Sequence, residues 1–285
     1  MKYRFFFLVS LVLLSYGSIC MGQDLDTVIG SINWTKGPAR VSIGSAAEMD
    51  LPSWYMYADG NDTRKLLEAM QNLTSGQELA LISNKDLSTF AVYYFDETGY
   101  VKDDEKGSLD ADAMISQIQK STAAGNEEKK KRGWRTMSVA GWDIKPRYNT
   151  VTNNLEWAIR FNDEAGDGSS TNYNTRYLGR RGVMRAILVS DPKNIQASIE
   201  QFQGLMTGFT FTGGNKYSEY VKGDKVAKYG LSALVVGAAA AAAVKGGLFK
   251  YLGKFIFAIG LAVIAFFKSI FDKIKNGFSG RAKEQ

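Results

Sequence analysis

Two apolar runs near the C-terminus constrain this chain more than any other feature. Residues 229–244 are dense in alanine, unbroken over 238–243, and residues 255–267 carry no charge and are rich in Phe, Ile, Leu and Val. A joint of lysine and glycine separates them: Lys245-Gly246-Gly247, with Lys250 and Lys254 just beyond. A helix needs about 20 apolar residues to cross a bilayer core, and roughly 17 at the least. Neither run reaches that length alone. Each does when its flanks are added, because flanking lysines snorkel to the headgroups. The runs are read as a transmembrane helical hairpin within residues 223–275, capped by Asp224 and followed by a basic tail over 276–285. Two rivals stand beside it. One is a single span through 255–271, and the other is a pair of buried core helices, which periodicity alone does not distinguish from membrane helices.

The other end of the chain points the same way. Lys2 and Arg4 form a basic start, residues 5–14 an apolar core of signal-peptide length, and a small-residue exit suits cleavage ahead of Gln23. Residues 1–22 are read as a secretory signal. Ile19 ahead of Cys20 argues against lipidation, and cleavage removes that cysteine, the only one in the chain. The mature protein then has no disulfide and no thiol chemistry.

Charge divides unevenly. The chain has 35 Lys+Arg and 29 Asp+Glu, a net +6. Removing Lys2 and Arg4 leaves 33 − 29 = +4, and eight bases against two acids from Lys245 onward give +6 there, so residues 23–244 net −2. The basic balance belongs to the membrane end. This argues against nucleic acid, which requires a basic face on a folded domain. It suits lysines near anionic headgroups on the cytoplasmic side.

Residues 23–222 are long enough for one large domain or two small ones. Strand-like runs recur at 39–43, 48–51, 54–57, 78–82, 89–95, 136–142, 155–162, 171–178 and 183–190. Gly44-Ser45 is a hairpin turn, and Leu155 to Asn162 alternates apolar with polar residues, as a half-buried strand does. Helices are expected from Asn61 or Asp62 to Gln71, over 110–124 with a solvated extension through Arg132, and from Asp191 to Met206. The fold class is α+β: mostly antiparallel sheet with packed helices, with two similar sheet-plus-helix units as one arrangement.

Catalytic motifs are scarce. The chain has no histidine, which removes His-based triads and His-based zinc sites. It has no P-loop and no dinucleotide glycine pattern. The acids at 103–112 lack the turn glycine and late glutamate of an EF-hand, and read as a solvated turn with a helix cap. Glu156, Asp163 and Glu164 offer a general acid/base pair, although strand polarity accounts for them equally well. No metal and no cofactor is assigned. Trp142, Pro146, Tyr148, Asn172 and Arg180 are the candidate binding residues, expected to gather in one region, because Trp, Tyr and Arg are frequent binding anchors.

Several motifs together carry a resemblance. They are Gly99-Tyr100-Val101 before Asp103-Asp104, Gly141-Trp142 with Pro146 and Tyr148, Leu155-Glu156-Trp157-Ala158, Asn172, Leu178-Gly179-Arg180 with Gly182, and Asp224-Lys225 ahead of Tyr229-Gly230-Leu231. The chain resembles the membrane-anchored bacterial proteins that carry domain of unknown function 2167. It departs from them around Lys106-Gly107-Ser108 and in a serine-rich loop at Ser169-Ser170. The resemblance implies an exported domain with a C-terminal anchor, and no reaction or ligand. The strand-strand-helix units are also similar to the photosystem-subunit and Mog-type sandwich, an analogy of fold that carries no function. The expectation is an inner-membrane protein whose main domain lies on the periplasmic side, with the lipid bilayer and an envelope or membrane protein as partners. It would bind a ligand or a protein. The alternative is a carboxylate-based hydrolase acting on an envelope polymer.

Overall fold

The computed structural model describes residues 25–166 and 168–236. The expected signal, most of the first apolar run, the second run and the tail lie outside the described residues. Everything described belongs to one compact unit, Met1–Val236.

Glycine and alternation set up the first hairpin. Gly44, at a φ of 61°, turns β2 (Ala39–Ile43) into β3 (Ala47–Leu51), as the Gly-Ser turn predicts. Val41, Ile43, Met49 and Leu51 share one face and are buried. A short strand near the end of the described chain, β11 (Phe209–Phe211), pairs with the free side of β3.

The large sheet has eight antiparallel strands. In spatial order they are β1 (Thr35–Lys36), β4 (Tyr55–Asp59), β5 (Glu78–Asn84), β6 (Phe90–Asp96), β10 (Val183–Ser190), β9 (Ser169–Leu178), β8 (Asn154–Asp163) and β7 (Met137–Asn149). The two halves of the sequence do not form separate units. β6 of the first half pairs with β10 of the second along the whole register from Asp96↔Val183 to Phe90↔Val189, making one sheet.

Both faces are covered. On one, the small sheet and α4 (Ile195–Met206) close over Tyr93, Tyr173, Met184 and Leu188. On the other, α1 (Leu25–Ser31) and α2 (Gly60–Ala69) cover Ala58, Leu81 and Val92. Farther along that face, α3 (Ala111–Lys131) and α5 (Leu231–Val236) cover Leu155, Trp157 and Val183.

Several boundaries differ from the sequence reading, each for a local reason. Asp59, not Asn61 or Asp62, caps α2 by accepting from the Asp62 amide at 2.9 Å. The Asp62 carboxylate instead holds the segment after α1, accepting from Asn33 N at 2.8 Å and from Lys65 Nζ at 2.7 Å. Asp110 caps α3 as expected, and the helix runs unbroken through Gly125-Asn126. There the Asn126 side chain bonds both the N–H and the C=O of Met137, at 3.1 and 2.7 Å. Asp191 closes a turn onto Lys193 N at 2.7 Å, so α4 starts at Ile195. β7 continues past Trp142 and through Pro146, with register shifts between Ile144 and Arg147. An edge strand tolerates a proline, which has no N–H to give to a ladder.

The largest difference concerns residues 223–236. Asp224 caps no helix; its carboxylate bonds Val221 N and Arg180. Val226 bridges to Tyr100, Tyr100 N donates to Lys225 O at 2.8 Å, and Ala227 N donates to Tyr100 O at 2.8 Å. Leu231, Leu234 and Val235 are buried beside Trp157 and Val101. This stretch was expected to open the membrane anchor and is part of the domain core. Among the described residues, no helix is long and apolar enough to cross a membrane.

Candidate functional site

The five candidate residues do not converge. Trp142 pairs with Ile159, and Ile159 pairs with Asn172, which puts Trp142 and Asn172 in one row of the sheet. Trp142 lies against the core under α3, with its Nε1 donating to Ala111 O at 3.2 Å. Tyr148 pairs with Leu155 on the same face, four residues along β8 from that row, or about 13 Å at 3.3 Å per residue. Its hydroxyl meets Asn153 Oδ1 at 3.4 Å, and burial, helped by Asp103, pushes its phenol above the ordinary range. Pro146 sits in the irregular stretch of β7. Arg180 lies beyond the end of β9, eight residues from Asn172, about 26 Å away by the same rise. The strand register separates what residue type had grouped.

The expected carboxylate pair is not assembled either. Glu156 and Asp163 stand seven residues apart on β8, an odd separation that points them to opposite faces about 23 Å apart. Glu156 accepts from Arg147 Nε at 2.5 Å and from the Tyr173 hydroxyl. Asp163 pairs with Arg135 at 3.3 Å. A third acid on the outer strand, Asp143, takes Thr171 Oγ1 at 2.6 Å and Arg160 Nη2 at 2.7 Å. Glu156 and Asp143 are held in cross-strand pairs, which stabilise a sheet, and Asp163 is held by Arg135 just ahead of β7. Among the described residues no group of three or more His, Cys, Asp or Glu is arranged to hold a metal ion. The cleft under α4, lined by Tyr55, Ile82, Ser198 and Phe202, has a volume of about 10 Å³, room for one water and not for a substrate.

Two features that residue type did not single out dominate the site chemistry. The first is Arg176, on the helix-covered face of β9 and only 6% exposed. Its guanidinium lies 4.6 Å over the Trp157 ring, and it donates to Leu234 O at 3.3 Å and to Thr175 O at 3.2 Å. Burial, with Arg185 next to it, lowers its pKa to about 9. Arg185 stacks on Tyr94 at 4.4 Å and forms an ion pair with Asp96 at 2.9 Å. Burial and the nearby Glu78 push the Tyr94 phenol up to about 12. Arg176 therefore fastens the end of α5 to the sheet. The pattern Asn172, Asn174, Arg176 reads as a solvent-facing row, so only the position of α5 reveals the burial.

The second feature is one end of the sandwich, built from the β9–β10 turn, the β7–β8 turn, residues 97–108 and residues 213–230. Arg180 grips Asp224 with two bonds, Nε to Oδ2 at 2.7 Å and Nη2 to Oδ1 at 2.9 Å. That hydrogen bonding holds the Asp224 carboxyl down at about 2. Gly182 packs against the Asp96 carbonyl so closely that a Cβ would lie 2.1 Å from it, which requires glycine at this turn. Tyr100 is stacked between Tyr217 and Tyr220, with centroids at 4.5 and 4.1 Å. The Tyr217 hydroxyl ties the stack to Val101 O at 3.0 Å. Of the five candidates, Arg180 and Tyr148 belong to this end.

Residues 35–268, most of the chain, match the family model described as Protein of unknown function (DUF2167). The chain belongs to that family. No curated protein matches it. Among solved structures it is similar to the solution structure of cyanobacterial PsbP (CyanoP) from Synechocystis sp. PCC 6803, at 10% identity and a TM-score of 0.37, covering 70% of this chain and 99% of that one. It is also similar to the Saccharomyces cerevisiae Ran-binding protein Mog1p, at 9% identity and a TM-score of 0.33, covering 67% of this chain and 100% of that one.

Proposed function

We propose that this protein is a membrane-tethered binding domain, held on the extracytoplasmic side of the inner membrane and presenting the Arg180–Asp224 end of its sandwich. The observation that carries this reading is the difference in how charged groups are used. The acids on β7 and β8 that catalysis would need are locked in ion pairs with Arg147, Arg135 and Arg160. The Arg180–Asp224 end is instead rich in tyrosines and in exposed cations, Arg181, Lys216, Lys222 and Lys228, that belong to none of the salt bridges among the described residues and so stand open to an anionic partner.

The tether is a single span through residues 255–271. With Leu231, Leu234 and Val235 inside the domain core, only residues 237–244 remain of the first apolar run. Eight helical residues reach about 12 Å, against a hydrocarbon core of about 30 Å. The 17 residues of 255–271 reach about 26 Å, and Lys273, Lys275, Arg281 and Lys283 then sit inside, as cytoplasmic flanks prefer. The test uses a cysteine at Ser279 in a Cys20→Ser background, probed in cells with a membrane-impermeant thiol reagent. Protection until the inner membrane is lysed is the expected result. Labelling once the outer membrane alone is permeabilised would restore the hairpin. External protease should also degrade residues 25–236 in spheroplasts, and full protection there would remove the extracytoplasmic assignment.

A further inference from the structure

The Arg180–Asp224 end shows an asymmetry in its charges. Most of its acids are engaged within the domain; Glu97 and Asp104 are exposed and belong to none of the salt bridges among the described residues. Asp224 holds Arg180 and Val221 N, Glu219 accepts from Lys216 N at 2.8 Å, Asp103 pairs with Lys106 at 3.2 Å, and Glu105 accepts from Ser232 N at 3.0 Å. Its cations mostly are not. Arg181, Lys216, Lys222 and Lys228 are exposed and belong to none of the salt bridges among the described residues, and Lys225 donates only to the Glu97 carbonyl. Equal numbers of opposite charges would be neutral to a partner. The exposed bases Arg181, Lys216, Lys222, Lys225 and Lys228 outnumber the two exposed acids, which leaves a net positive surface.

The same end displays apolar side chains where loops normally hide them. Val151, at the tip of the β7–β8 turn, is 88% exposed, and Val221 is 53% exposed. These loops are neighbours. Leu178 N donates to Asn153 O at 3.1 Å, Arg180 N to Asn215 O at 2.8 Å, and Gly99 N to Arg181 O at 2.9 Å. Beside them stands the Tyr217–Tyr100–Tyr220 stack. Tyrosine, outward lysine and a few protruding valines form the side-chain set of a membrane interface, where aromatic bodies sit at headgroup level and cations meet phosphate.

We propose that this end is a lipid-contact surface that lies on anionic headgroups, with Arg181, Lys222 and Lys228 meeting phosphates and Val151 and Val221 entering the interface. The inference rests on the tethered reading, which supplies the membrane. It goes further in giving the domain a fixed orientation on that membrane. Such a surface binds in proportion to the anionic lipid present and weakens with salt.

The test uses the full chain in nanodiscs, carrying Cys20→Ser and Val221→Cys with a polarity-sensitive fluorophore on the new thiol. Discs are made of phosphatidylcholine alone or mixed with phosphatidylglycerol, each with and without headgroup nitroxide quencher. Expected are a blue shift and quenching in the anionic discs, reduced by added salt and largely absent in the neutral ones. Lys222→Glu with Lys228→Glu should weaken the contact about fivefold per residue. Lys193→Glu, in the turn after the opposite end of β10, should leave it unchanged. Emission unaffected by lipid charge in protein that co-elutes with the discs would overturn the lipid-contact surface while leaving the tether in place. Failure to co-elute with discs at all would overturn the tether, and with it the inference.

Discussion

Replacing Leu231 by alanine tests whether the segment after Asp224 belongs to the domain. Leu231 is fully buried, among Val101, Met114, Leu155 and Trp157 on the α3–α5 side of the large sheet. Cutting a buried leucine to alanine costs about 2–5 kcal/mol, because the lost transfer free energy is joined by that of the cavity left behind. Here the cavity has rigid walls, with Trp157 pinned under the Arg176 guanidinium and the β8 backbone paired on both sides, so about 3 kcal/mol is a fair central value. For a domain of this size each kcal/mol moves the melting temperature by about 2–4 °C. Leu231→Ala should therefore lower it by about 6–12 °C. Val226→Ala, at an exposed position five residues earlier, should change stability by no more than about 0.5 kcal/mol. Thermal unfolding of the full chain in neutral detergent, followed by near-ultraviolet circular dichroism, reads both. If Leu231→Ala melts with Val226→Ala and wild type, the leucine is not in the core and the account of residues 223–236 fails.

Two further outcomes follow from the buried and paired charges. Arg176→Met replaces a buried guanidinium that belongs to no salt bridge among the described residues, and relief of its desolvation should make the change neutral or slightly stabilising despite the lost bonds to Leu234 O and Thr175 O. Because the folded pKa of Arg176 is depressed to about 9, the unfolded chain binds more protons between that pH and the ordinary arginine range. Wild type then gains stability as pH rises through this window, and its deficit against Arg176→Met in denaturant titrations should narrow from pH 9 toward pH 11; a constant deficit contradicts the reading. Asp224 behaves in the opposite sense. Its folded pKa of about 2 lies below the ordinary carboxylate value, so its contribution is complete above about pH 5 and is lost as pH falls toward 2. Melting curves over this range should fall more steeply for wild type than for Asp224→Asn, and parallel curves would show that the clamp contributes nothing.

Local signals carried the strands and turns well. Gly44-Ser45 marked the β2–β3 hairpin, and the alternation of residues 155–162 the half-buried strand β8. Long-range pairing left no local trace. Nothing within β6 announces β10 as its neighbour, so the single eight-stranded sheet was not distinguishable from two smaller ones. The strand read over 136–142 runs on through Pro146 to Asn149, because the cost of a proline depends on whether its strand lies at an edge. For residues 231–236 the reason is different: apolar periodicity is the same for a helix buried in protein and one buried in lipid. The candidate residues were chosen by type, and type does not encode register. The register puts Trp142 against the core, Asn172 in the same row and Arg180 at the far end. Arg176 was hidden because the polar alternation of β9 describes a solvent-facing row that α5 then covers.

The central claim is that the folded domain takes in residues 223–236 and does not stop before Gly223. Two fragments test it directly by heteronuclear NMR, one spanning residues 25–236 and one spanning 25–222. The shorter lacks Leu231, Leu234 and Val235 and leaves Arg176 without its bond to Leu234 O. The longer fragment should give the dispersed amide spectrum of a packed α+β domain, and the shorter a collapsed or broadened one with the Trp157 indole shifted. Two equally dispersed spectra, with the resonances around Trp157 unchanged, would contradict the account.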